Sequence, residues 1–96
     1  MSGARLSARG DGRWALDGAL DFASVPQVWP ALAAVLRAER RVGLSLAEVE
    51  QSNSAGLVLL VEALDLARQT GCELTLTDVP DELVDLASMS QCEELL

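Results

Sequence analysis

One stretch limits the folds open to this chain more than any other: a strand-like segment that runs into a loop of small residues and then into an apolar helix. The segment is Val42-Gly43-Leu44-Ser45-Leu46-Ala47, in which Val42, Leu44 and Leu46 alternate with small residues. Alternation of period two is the pattern of a strand. Because its second side carries only small residues, a helix can approach there too, and the pattern predicts a central strand buried on both faces. Glu48-Val49-Glu50 leads on to Gln51-Ser52-Asn53-Ser54-Ala55-Gly56-Leu57. From Leu57 to Ala67 the apolar residues recur at helical spacing. This order sets backbone N–H groups and the hydroxyls of Ser52 and Ser54 at a helix N-terminus, where anions and partner groups bind well.

The flanking segments extend the alternation of strand and helix. Residues 2–8 read as a short edge strand, with Ala4, Leu6 and Ala8 on one side. Arg9-Gly10-Asp11-Gly12 is a turn signal. After it, Trp14, Leu16 and Leu20 share one face, opposite Arg13 and Asp17. Residues 2–20 therefore predict a hairpin with one wet face. A helix is expected over about 24–39, with Ser24 and Gln27 in capping-box spacing and Pro26 in the first turn. Pro30 should kink it or make its first turns irregular. The helix from Ser54 to about Gln69 places Leu57, Leu60, Val61, Leu64 and Ala67 on one face, with Leu57, Leu60 and Leu64 expected in the core. Thr70-Gly71 ends it. Leu74 and Leu76 mark another strand, and Leu83, Leu86 and Ala87 a last helix to about Met89. The tail from Gln91 to Leu96 could add one more helical turn. The order is β-β-α-β-α-β-α, an α/β chain with a small mixed sheet, an N-terminal hairpin plus parallel strands, packed with helices.

Composition narrows function by exclusion. Ninety-six residues make one domain, residues 1–96, with little room for a deep active site. There is no histidine, and all basic residues are arginines, so histidine-based hydrolysis, Schiff-base chemistry and the phosphate-loop lysine drop out. The carboxylates scatter over predicted helix faces, and neither catalysis nor a cofactor is expected. Cys72 and Cys92 have no metal-ligand spacing and read as free thiols, so no metal site is expected. Seven basic and fifteen acidic residues give a net charge of −8, which argues against nucleic acid and against direct bilayer binding. Arg37, Arg40 and Arg41 form the one basic cluster and read as a solvated helix end. No apolar run is long enough to span a membrane, and no signal peptide is expected.

The order of elements, with the loop Ser52-Asn53-Ser54-Ala55-Gly56-Leu57 feeding a helix, resembles the STAS domain family over nearly the whole chain. The family pattern at this loop is an acidic residue, then Ser or Thr, a small residue, Gly and Leu. Here Asn53 stands in the acid's place, and Ser54, Ala55, Gly56 and Leu57 match. Ala19-Leu20-Asp21 after Gly18 resembles the family's Gly-x-Leu-Asp segment. The resemblance implies a protein-binding module without catalysis of its own. Within the family the chain looks most like the STAS subunit of Mla-type phospholipid ABC transporters, which maintain outer-membrane lipid asymmetry. That branch implies a regulator that clamps the cytoplasmic ATPase subunit (the MlaF-like subunit) of a complex with a membrane permease. The location implied is cytoplasmic, peripheral to the inner membrane through that complex. The other branch, the anti-sigma-factor antagonists, implies a switch thrown by phosphorylation of Ser54.

The partner-binding residues implied by the resemblance are Ser52, Asn53, Ser54, Ala55, Gly56 and Trp29. Each also has a structural reading. Ser54 reads equally as a helix N-cap hydroxyl, Ser52 as plain loop, and Gly56 as a point of close helix–sheet approach. Trp29 is either core, beside Val28 and Leu32, or an exposed anchor of the kind enriched at interfaces.

Overall fold

The computed structural model describes residues 3–89. Two antiparallel strands open the chain, β1 (Ala4–Gly10) and β2 (Arg13–Leu20), joined by a turn at Asp11–Gly12. Then follow α1 (Val25–Ala38), β3 (Arg41–Ser52), α2 (Ser54–Thr70), β4 (Glu73–Thr77) and α3 (Asp81–Met89). The sheet order is β1-β2-β3-β4, with β2–β3 and β3–β4 parallel. The order expected from the sequence, β-β-α-β-α-β-α with a small mixed sheet, is the order observed.

One apolar core lies between the sheet and its helices. It gathers Leu16 and Leu20 of β2, Val42, Leu44 and Leu46 of β3, Leu32 and Leu36 of α1, Leu59, Leu60 and Ala63 of α2, and Leu83 and Ala87 of α3. Each fully buried leucine contributes roughly 1.5–3 kcal/mol through removal from water.

The expectation that β3 is buried on both faces is overturned. Gly43 and Ser45 are half-buried and Ala47 is exposed. The reason is topological. Strands β2, β3 and β4 lie side by side in chain order, and right-handed crossovers between such strands put their helices on the same face. Among the described residues, none covers the other face. The strand also runs further than expected, to Ser52, pairing with Leu20 at the end of β2.

Helix α1 has a different entrance from the expected capping box. Ser24 makes no side-chain cap bond. Its hydroxyl donates to the Ala19 carbonyl at 2.6 Å and accepts from the Asp21 N–H at 3.0 Å. The capping acceptor is Asp21 Oδ1, which receives the N–H groups of Ala23 at 3.0 Å and Ser24 at 2.8 Å. Pro30 does not split α1, which is one element from Val25 to Ala38. The bond that proline cannot make is the one to residue 26, and both prolines are exposed, so the freed carbonyl lies on the wet side.

The buried stripe of α2 differs from the predicted one. Ala55, Gly56, Leu57, Leu59, Leu60, Ala63 and Ala67 are buried, while Leu64 is only half-buried and lies outside the core among the described residues. Helix α2 touches both the sheet and α1 on one side and α3 on the other, which widens the stripe toward Leu59 and Ala63. Gly71, at φ 78°, caps the helix in the left-handed conformation as expected.

The basic cluster is divided by the fold. Arg37 lies in the last turn of α1, whereas Arg41 opens β3 and pairs with Glu73 at 3.1 Å. Cys72 is a buried free thiol beside β4. Cys92 and the expected extra turn of the tail lie outside the described residues.

Candidate functional site

The loop between β3 and α2 is held from three sides. The Asn53 N–H donates to the Leu20 carbonyl at 3.2 Å, which ties the loop to the end of β2. The Ser52 hydroxyl lies 2.9 Å from Glu82 Oε1 and donates to it, linking the loop to the first turn of α3. Asn53 is the N-cap of α2, and its Oδ1 accepts the Ala55 N–H at 2.8 Å. The N-cap role that the sequence allowed to Ser54 therefore belongs to Asn53. An asparagine oxygen caps a helix about as well as a carboxylate does, which explains why the loop keeps its shape without the family's acid.

This division of labour leaves Ser54 exposed in the first turn of α2. That turn contains no acidic residue, so the partial positive charge of the helix start is not neutralised from within the helix. The arrangement suits an acceptor group brought by a partner, or a phosphate on the hydroxyl.

The other small residues of the loop point inward. Ala55 and Gly56 are buried. A Cβ on Gly56 would meet the Cβ of Leu20 at 3.1 Å, the Cβ of Ser52 at 3.3 Å and Leu83 Cδ2 at 3.4 Å. Glycine is needed there so that α2 can sit against β2, β3 and α3 at once, which is its structural reading. Ala55 reaches the surface only at the floor of a shallow apolar groove.

That groove, about 160 Å³, is lined by Phe22, Val25, Pro26, Ala55 and Val58. Phe22 is 72% exposed and Val58 55%. These two are among the large hydrophobics most open to water, and they border the loop that carries Ser54. Trp29 is half-buried and packs on the core edge, between its two sequence readings. It lies three residues after Pro26 and four after Val25, hence on the same side of α1 as the groove. Sequence reasoning missed Phe22 and Val58. The signal available was an aromatic residue outside every predicted apolar stripe, directly after the Gly-x-Leu-Asp segment.

Asp21 anchors the approach to Phe22. The Ser24 N–H above all, helped by the Ala23 N–H, holds its carboxyl below the ordinary value of 3.8, against the opposing effect of burial.

Comparison with known proteins places these features. The family model for the MlaB-type STAS domain matches residues 5–96. No curated protein matches the sequence. Among solved structures, the anti-sigma factor antagonist SpoIIAA in its unphosphorylated form superposes with a TM-score of 0.72. It is 12% identical, over 96% of this chain and 84% of that one, so the likeness is one of fold. The crystal structure of Mglu gives a TM-score of 0.60 at 25% identity, over 78% of this chain but 19% of that longer one. With a family model spanning nearly every residue, this chain belongs to the STAS domain family, in the MlaB-type branch.

Proposed function

We propose that this STAS domain binds and regulates the cytoplasmic ATPase subunit of an Mla-type ABC transporter that moves phospholipid. The observation that carries the reading is the pairing of an exposed Ser54, in a first helical turn without an acidic residue, with the apolar groove of Phe22, Pro26 and Val58. The match to the MlaB-type model supports the choice of transporter branch. A clash-free hydroxyl next to an exposed aromatic is the composition of an interface centre with a polar rim. In this reading Ser52, Asn53 and Ser54 supply polar contacts, Phe22, Trp29 and Val58 supply apolar area, and Ala55 and Gly56 fix the backbone between them. The domain sits in the cytoplasm and reaches the inner membrane through its partner.

The test is Ser54→Glu. A carboxylate at this position mimics a phosphate near an interface and resists desolvation on docking. The variant should lose co-purification with the ATPase by about tenfold or more, about 1.4 kcal/mol. Its melting temperature should stay close to wild type, because an acidic residue in the first helical turn is tolerated. Unchanged affinity with an intact fold would refute the assignment.

A second reading, an antagonist switched by phosphorylation of Ser54, draws on one specific observation: the hydroxyl is exposed and so accessible to a kinase. Incubation with a cognate kinase and ATP, followed by mass spectrometry, separates the two readings. Phosphate on Ser54 that releases the partner favours the switch.

A further inference from the structure

The uncovered face of the sheet has a composition unlike the rest of this acidic chain. Register puts Arg5 opposite Asp17, Arg13 beside Gly43, and Arg41 beside Glu73. Arg9 reaches the same face, where it pairs with Glu48. Four of the seven basic residues of a chain with net charge −8 are thus gathered here. Three of them are held in ion pairs, and among the described residues Arg13 has none. Between Arg9 and Arg13 lies an open cavity of about 340 Å³, completed by Trp14, Gly43, Ser45 and Thr77. Gly43 leaves the floor bare: a Cβ there would approach only Arg13 Cγ, at 3.9 Å.

We infer that this cavity is a ligand site for a small organic phosphate, with Arg9 and Arg13 on the anion and the bare strand at Gly43 against the organic body. The volume falls within the range of small-molecule sites, roughly 300–1,000 Å³. Two guanidinium forks match a phosphate, to which each can donate two parallel hydrogen bonds. The Ser45 hydroxyl, which accepts the Ala47 N–H and keeps its own proton free, adds a donor on the third side. The Arg9–Glu48 pair is about half-exposed on both partners. Exposed pairs of this kind hold weakly, so Arg9 is free to exchange Glu48 for a doubly charged anion. The site is separate from the Ser54 loop. Gly43 and Ser52 stand nine residues apart on one strand, roughly 25–30 Å at the rise of a β-strand.

Titration of the isotope-labelled full chain with phenyl phosphate at low salt, followed by amide NMR, tests the assignment. Saturable shifts at Arg13, Gly43, Ser45 and Thr77 are expected, with weaker binding of inorganic phosphate and none of neutral benzyl alcohol. Arg13→Gln should weaken phenyl phosphate by about tenfold. Glu48→Gln should strengthen it, because Arg9 is released, and a gain cannot come from misfolding. Four results would overturn the inference: no saturable shift, shifts centred on residues 52–58, full affinity in Arg13→Gln, or weaker binding in Glu48→Gln. Inorganic phosphate bound as tightly as phenyl phosphate would remove the organic body from it.

Discussion

Asp21 and Asn53 do related work at the entrances of α1 and α2, one charged and one neutral. Asp21 Oδ1 takes the N–H groups of Ala23 and Ser24, and Asn53 Oδ1 takes that of Ala55. The difference has a consequence for stability against pH. The folded carboxyl of Asp21 is depressed below its ordinary value of 3.8. A depressed acid contributes stability that is complete above the unfolded value and is lost as the pH falls through the lower folded value. Asp21→Ala should therefore melt well below wild type at pH 7, and the gap should narrow as the pH is taken to 3 and below. Thermal melts of both proteins across that range check it, and a gap constant with pH would count against the carboxylate as the cap. The Asn53 cap, having no proton to gain, keeps its strength across the same range. Sequence spacing could not separate these roles at α1. It showed a serine three residues before Gln27, which fits a capping box, and did not show that the serine hydroxyl would be drawn back to the Ala19 carbonyl.

Elements were legible where one period dominated. The strand patterns of Arg13–Leu20 and Glu73–Thr77, and the helix after Asn53, stand where alternation and 3.6-residue spacing put them. What could not be read was which neighbours each face would meet. A pattern of small residues on β3 permits a second covering helix, yet crossover handedness decides that none arrives. The same gap explains α2. A single apolar stripe through Leu57, Leu60 and Leu64 fits the sequence, but α2 is pressed between the sheet, α1 and α3, and Leu59, only 1% exposed, is buried where Leu64 is not. Leu59→Ala should cost ~2–5 kcal/mol, the range for emptying a packed site. Leu64→Ala, at a half-exposed position, should cost well under that. Urea unfolding of the two variants measures the difference, and equal losses would restore the sequence-based stripe. Gly18 is another contact invisible in sequence. Its φ of 91° and the Gly3 carbonyl beside it exclude a Cβ, so the hairpin closes over that residue.

At the scale of the whole molecule, one covered and one open sheet face divide the surface into two regions with different chemistry. The helical side carries the loop, the groove and the exposed Phe22, and the open side carries four of the seven arginines. No helix among the described residues is long and apolar enough to cross a membrane, and the contact proposed for a transporter partner is the loop and groove of the helical side. Phe22 is the sharpest probe of that surface. At 72% exposure it gives the fold little, and Phe22→Ser should change stability by no more than ~0.5 kcal/mol. An exposed aromatic at an interface centre is worth more than that to a partner, ~1–2 kcal/mol or above. The variant should therefore melt like wild type while its affinity for the ATPase falls about fivefold to thirtyfold. Arg13→Gln, on the opposite face and remote from the loop, should leave that affinity unchanged. Measured side by side by calorimetric titration, the two variants separate the surfaces. An Arg13→Gln protein that also lost the ATPase would mean that the partner wraps the sheet edge and that the two regions form one interface.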